Sequence, residues 1–248
     1  NYDLFLEMNT SMVKDNPADI KKILQQAVLE NDVVVISAGS SAGTKDFTAD
    51  VIGELGEVLV HGIAIKPGKP AIIGRIDTKP VIGMPGYPLS ALTVLRELVT
   101  PLVHVFGLPV PSYGTVDARL TVSVSKDIGS DEFILCSLGQ VGDRWVLTPL
   151  SRGAGVQMSA VRSNANLKIP AGVEGYEAGR IVPASLTVSR AEAEQALLIT
   201  GSHDPLIDYL ADLLQKKEIG LHSTHVGSMG GIFSLKKNEC HAAPVHLL

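Results

Sequence analysis

Apolar residues recur at Ile20, Ile23, Leu24, Ala27 and Val28, the three- and four-residue spacing that lines up one stripe on a helix. Asn16 can cap that helix and Pro17 suits its first position, so an amphipathic helix is expected to run to Glu30. The period then changes. Residues 32–37 read Asp-Val-Val-Val-Ile-Ser, a short β-branched run that suits a strand buried on both faces of a parallel sheet. Small residues at 38–43 lead into a helix with Phe47, Val51, Ile52 and Leu55 on one side, stopped by Gly56. Residues 58–60, 71–73 and 81–84 read as strands, and 89–103 carries Leu92, Leu95, Val99 and Leu102 on one helical stripe. This alternation predicts an α/β domain with a mostly parallel sheet.

Beyond Pro109 and Pro111 the helical period disappears. From Gly114 to Leu186 short β-rich stretches at 118–124, 133–138, 144–148 and 165–169 alternate with Gly, Asp and Pro turns, which predicts a small all-β barrel domain. Past Ser189, a strand at 196–200, a helix at 205–214 and a helical stretch opened by Gly227-Ser228-Met229-Gly230-Gly231 read as part of another α/β domain. The expected domains are therefore 1–109, 110–188 and 189–248. The 248 residues are 45% hydrophobic, enough apolar material for such cores. A net charge of −5 argues against nucleic acid or an anionic membrane as a partner recognised by bulk charge, so an anionic ligand must meet a local positive patch. Cys136 and Cys240 form no disulfide framework or metal-ligand spacing, and no apolar run reaches membrane-spanning length, so a cytoplasmic protein is expected. Both chain ends read as cuts in a longer protein.

The loop from Ser37 through Gly39, Ser41 and Gly43 joins a strand end to a helix start, where free backbone N–H groups and the helix dipole favour an anion. An ordinary turn has the same composition. Lys66-Pro67-Gly68-Lys69-Pro70 is more specific, because its prolines and glycine keep it non-helical and present two ammonium groups to one ligand; the plain alternative is a solvated turn. Pro85-Gly86-Tyr87-Pro88 follows the 81–84 strand at the carboxyl edge of the sheet, where open α/β sheets bind ligands, with Ser90 in the first turn of the next helix.

These segments carry a resemblance. Ser-Ala-Gly-Ser-Ser-Ala-Gly-Thr-Lys-Asp at 37–46, His-Gly-Ile-Ala-Ile-Lys-Pro-Gly-Lys-Pro at 61–70 and Gly-Met-Pro-Gly-Tyr-Pro-Leu-Ser-Ala at 83–91 occur in the order and spacing of molybdopterin molybdenumtransferases, the MoeA and gephyrin type. Ser-Ala-Val-Arg-Ser-Asn at 159–164 and Ile-Pro-Ala-Gly-Val-Glu-Gly at 169–175 resemble the β-barrel domain of the same family. The resemblance covers roughly residues 10–187. It implies insertion of molybdate into adenylylated molybdopterin with release of AMP. It places Mg²⁺ on Asp15 and Asp46, although a carboxylate at a helix N-terminus also has a purely structural reading. It sets Lys66, Lys69, Ser90, Ser159 and Arg162 around molybdate, and Ser37, Gly39, Ser41, Gly43, Pro85, Gly86 and Pro88 around the pterin and its phosphate.

A homodimer is implied, with the molybdopterin adenylyltransferase as a further expected partner. Two departures bear on the pterin contacts: Ala38 stands in the usual Ser-Gly-Gly, and Tyr87 replaces the Asn of the usual Pro-Gly-Asn-Pro. The family's N-terminal domains, and the first strand and helix of its pterin domain, are expected to lie outside this chain. Residues 189–248 resemble the start of a periplasmic-binding-protein-like domain related to molybdate and tungstate receptors. His222, His225, Cys240, His241 and His246 lack a fixed ligand spacing on one element, which favours surface or packing roles over zinc. The competing readings are a non-catalytic pterin- or oxyanion-binding sensor or carrier, and a scaffold.

Overall fold

The Asn16 side chain accepts a hydrogen bond from the Asp19 N–H at 2.9 Å, and helix α1 (Pro17–Glu30) begins behind that cap. In this computed structural model residues 7–37, 47–109, 112–150 and 156–246 are described. The chain divides into two units, Asn1–Pro111 and Ser112–Leu248. In the first, α1 is followed by β1 (Val34–Ser37), α2 (Phe47–Leu55), β2 (Glu57–His61), the short β3 (Ile65–Lys66), β4 (Ile72–Ile76), β5 (Lys79–Met84), α3 (Pro88–Val94) and α4 (Thr100–Val105).

Four of these strands form a sheet ordered β1-β5-β4-β2. Strand side chains alternate between faces. Ile72 and Val81 join Leu24, Val28, Val51 and Ile52 of α1 and α2 in one core, whereas Ile82 joins Ala71, Val94 and Val99 in another. Helices therefore cover both faces, as the α/β pattern predicts.

Three expectations need correction. Among the described residues of this sheet only β1–β5 is a parallel pair; β4–β5 and β2–β4 are antiparallel. A tight turn at Asp77 and Thr78 joins β4 to β5 as a hairpin, and so short a connection cannot return a strand in parallel. Strand β1 is not buried on both faces: Val34 packs inward, but Val35 is 39% exposed because β1 has a single described neighbour. The helical stripe after residue 88 also shifts. α3 passes into α4 through a π-helical turn, Leu95–Val99, in which the Thr100 N–H reaches Leu95 O. Pro101 has no N–H to continue the normal ladder, and the wider turn accommodates that loss. The buried residues become Val94 and Val99, five apart, and Leu95 turns outward.

The second unit opens with β6 (Thr115–Leu120), β7 (Val124–Ser125), β8 (Asp131–Val141), β9 (Arg144–Pro149), α5 (Val156–Arg162), β10 (Ala165–Ile169), β11 (Gly175–Tyr176) and β12 (Ile181–Leu186). Five of these strands follow the order β10-β12-β6-β9-β8, and pairing of β8 with β10 closes them into a small barrel. Val116, Ala118, Leu120, Ile134, Leu138, Leu167 and Val182 point into its core. β12 was not among the expected strands because Pro183 interrupts it. That proline lies opposite Asp117, one residue past Ala184, the last β12 residue registered on β10, so its missing N–H breaks no bond of that ladder.

After the barrel come α6 (Arg190–Gln195), β13 (Leu197–Gly201), α7 (Pro205–Gln215), β14 (Leu221–His225) and α8 (Gly227–Lys236), with β13 and β14 paired in parallel. This segment packs on the barrel. Leu198 and Cys240 are buried with Val146, and a Cβ on Gly139 would sit 2.9 Å from Cγ of Leu198. Only glycine permits that approach.

Candidate functional site

Ser37 closes β1 directly beside Met84, the last residue of β5. The carboxyl ends of β1 and β5 therefore lie side by side, and the 85–88 loop leaves that edge, the position where open α/β sheets bind ligands. Pro85 is buried and anchors its loop, while Gly86, Tyr87 and Pro88 are exposed. α3 starts at once, with Ser90 in its first turn. α1 returns into β1 through residues 31–33, which sets its N-terminal end, with Asp15 and Asn16, toward the same edge. Asp15 is exposed. Among the described residues no group of three His, Cys, Asp or Glu side chains is placed to hold a metal ion, so Asp15 stands here as a single exposed carboxylate. Gly39, Ser41, Gly43 and Asp46 lie outside the described residues.

Lys66 and Lys69 flank the turn between β3 and β4, and both are exposed. Between them Gly68 adopts φ +119°, and a Cβ there would meet Ile65 at 2.9 Å and Val94 of α3 at 3.2 Å. The lysine-bearing turn thus rests on α3. Ser90 lies one helical turn before Val94 on the same face of α3. The N-terminus of α3 carries no side-chain cap, because Tyr87 occupies the N-cap position and has no short side-chain oxygen to fold back.

In the second unit, Ser159 and Arg162 lie one turn apart on α5. Asn164, two residues further on, is 4% exposed and clamps the barrel: its Oδ1 accepts from Leu138 N–H and its Nδ2 donates to Leu138 O, both at 2.7 Å. Arg162 faces the segment after the barrel. Its Nη2 lies 3.7 Å from Oδ1 of Asp208 on α7, and its carbonyl accepts from Nδ1 of His222 on β14 at 2.8 Å. His241 donates from Nε2 to Gln140 O and accepts at Nδ1 from Leu198 N–H, each at 2.9 Å. Burial holds His222 and His225 below the ordinary imidazole value. For His225 the nearby His203 ring, 4.4 Å away between centroids, and Arg162 act in the same direction. Asp208 and His222 had no motif to mark them, since their partner is remote in sequence.

Three family models match the chain in order: a probable molybdopterin binding domain over residues 7–105, the MoeA C-terminal region (domain IV) over 117–187, and a PBP superfamily domain over 211–248. A solved MoeA protein of Pyrococcus horikoshii superimposes with a TM-score of 0.57 at 40% identity, over 70% of this chain and 42% of that one. The chain belongs to the MoeA family. Among curated relatives of this MoeA-family chain, a molybdopterin biosynthesis protein of Methanocaldococcus jannaschii is 33% identical over 69% of the chain and 40% of its own length. A molybdopterin molybdenumtransferase of Haemophilus influenzae is 38% identical over 39% of the chain and 24% of its own length. The MoeA-family chain thus spans well under half of these relatives. None of its described helices is long and apolar enough to cross a membrane.

Proposed function

We propose that the full-length protein acts in molybdenum cofactor biosynthesis as a molybdopterin molybdenumtransferase, inserting molybdate into adenylylated molybdopterin with release of AMP. The observation that carries this reading is the carboxyl edge of the β1–β5 pair, where Ser37, the 85–88 loop and the turn of Lys66 and Lys69 resting on α3 adjoin. In the first unit Lys66 and Lys69 offset the double charge of molybdate and Ser90 donates to its oxygens; in the second, Arg162 and Ser159 offer the same chemistry to an oxyanion. Ser37, Gly39, Ser41, Gly43, Pro85, Gly86 and Pro88 cradle the pterin and its phosphate. Asp15 and Asp46 would hold Mg²⁺, which would supply charge neutralisation at the phosphate. The protein acts by positioning and charge neutralisation rather than through a covalent nucleophile. Relatives named as molybdenumtransferases support the transferase class. We further propose a homodimer and a hand-over of substrate from the molybdopterin adenylyltransferase.

The uncapped Tyr87 at the pterin loop favours a second reading, a non-catalytic pterin- or oxyanion-binding module. Giving the full-length protein adenylylated molybdopterin, Mg²⁺ and molybdate separates the two. AMP release with molybdenum incorporation, lost in Asp46→Ala, supports the enzyme; pterin or molybdate binding without AMP release supports the module.

A further inference from the structure

Arg162 is the last residue of α5, and the described groups that pair with it from outside that helix come from the segment after the barrel. A carbonyl oxygen can only accept, so His222 must carry its proton on Nδ1 and donate it to Arg162 O, fixing where α5 ends. Asp208 faces the other end of the same residue, its Oδ1 paired with Nη2 at 3.7 Å. Among the described residues the other N–H groups of that planar fork meet no partner, which leaves them to a second anion.

Neither partner is loosely mounted. Asp208 sits in the first turn of α7, whose start is capped by Asp204 and whose Ile207 is buried. His222 lies on β14, paired residue by residue with β13. β13 is fastened to the barrel by Leu198 against Val146 and by the two hydrogen bonds of His241. The appended segment therefore holds Arg162 by side chain and main chain from a frame tied to the same barrel that carries α5.

We infer that Asp208 and His222 are positioning residues for Arg162, through which the appended segment orders the guanidinium that receives the oxyanion substrate. An arginine without partners surrenders extensive rotamer freedom on meeting a ligand. One whose helix end and guanidinium are already held surrenders less, and the gain falls on oxyanion affinity rather than on the chemical step. The inference rests on the assignment of Arg162 to the molybdate site proposed above.

The test is steady-state AMP release by the full-length protein as molybdate is varied at saturating adenylylated molybdopterin and Mg²⁺. Asp208→Asn and His222→Phe are each expected to raise KM for molybdate roughly three- to tenfold, while kcat stays within about twofold. Asp208→Glu and His222→Gln, which keep a carboxylate or a side-chain donor, recover part of the loss. In an Arg162→Ala background neither change adds anything, since the residue they position is gone. If Arg162→Ala raises KM and the other two variants do not, the inference falls and the oxyanion role of Arg162 stands. It falls equally if their effects persist without Arg162. If Arg162→Ala leaves KM unchanged, or the wild type does not turn over, the assignment of Arg162 fails and takes the inference with it. Asp208 is exposed, so Asp208→Asn folds even where the His222 variant does not.

Discussion

Asn164 does with one side chain what a neighbouring strand does with its backbone, meeting both the N–H and the C=O of Leu138 inside the barrel. Asn164→Ala would bury that donor and acceptor without partners, at about 1–3 kcal/mol each. A loss of about 2–4 kcal/mol is therefore expected in urea unfolding of the second unit's fold. Asn164→Asp should be at least as damaging, because a carboxylate oxygen would then face the Leu138 carbonyl. A loss below about 1 kcal/mol in Asn164→Ala would mean that water replaces the amide and that the clamp is not what fastens the barrel. At this scale the sequence was uneven in what it revealed. The motif at 159–164 contains Asn164 beside Ser159 and Arg162, but nothing in its spacing separates the residue that fastens the barrel from those that could meet a ligand. Burial and hydrogen bonding make that distinction, and both depend on Leu138, 26 residues away in sequence.

At the scale of elements, local rules predicted what depends on local causes. Asn16 and Pro17 mark the start of α1, and Ile20, Leu24 and Val28 are its buried stripe. The register that sets Ser37 against Met84, and the Gly68 approach to α3, arise from partners distant in the chain and had no local signature. Prolines account for two of the element-level departures: Pro101 widens a helical turn and rotates its stripe, and Pro183 hides a strand whose other positions alternate cleanly. Two predictions belong here. Tyr87→Asn supplies the missing cap of α3 and is expected to stabilise the first unit by about 1 kcal/mol, read as a rise in thermal midpoint. An unchanged midpoint would mean that this N-terminus is already satisfied by other groups. Gly68→Ala should destabilise by about 1–3 kcal/mol, since a Cβ at φ +119° is strained and would press on Ile65 and Val94. Under the proposed function it would also raise KM for molybdate by shifting Lys66 and Lys69, and a variant with lower stability but normal KM would detach that turn from the oxyanion site.

For the second unit as a whole, the residues that join the appended segment to the barrel also make it sensitive to acid. Burial favours the neutral imidazoles of His222 and His225, so the folded state takes up protons at lower pH than the unfolded chain, whose histidines titrate near the ordinary 6.5. Above that value these residues give no pH dependence. As pH falls below it, the unfolded form gains protons first and stability declines until the folded values are reached. The barrel carries the opposite kind of group. Asp131 is held below the usual carboxylate value, first by its hydrogen bond to Lys168 and then by the Ala171 N–H, so its contribution persists above the ordinary 3.8 and is lost only in stronger acid. Between roughly pH 6.5 and 4 the loss should therefore fall on the segment at 197–246 while the barrel keeps its strength. Trp145, the single tryptophan, lies in the barrel strand β9 with Arg190 of α6 over its ring at 5.8 Å, so its fluorescence reports on this junction. Hydrogen exchange corrected for intrinsic rates should show the β13 and β14 amides losing protection on going from pH 7 to 5, ahead of β8 and β10. Replacing His222 and His225 together by Gln should flatten that response. If the double variant keeps the wild-type slope, the acid sensitivity lies in other groups and these two histidines are only packing residues.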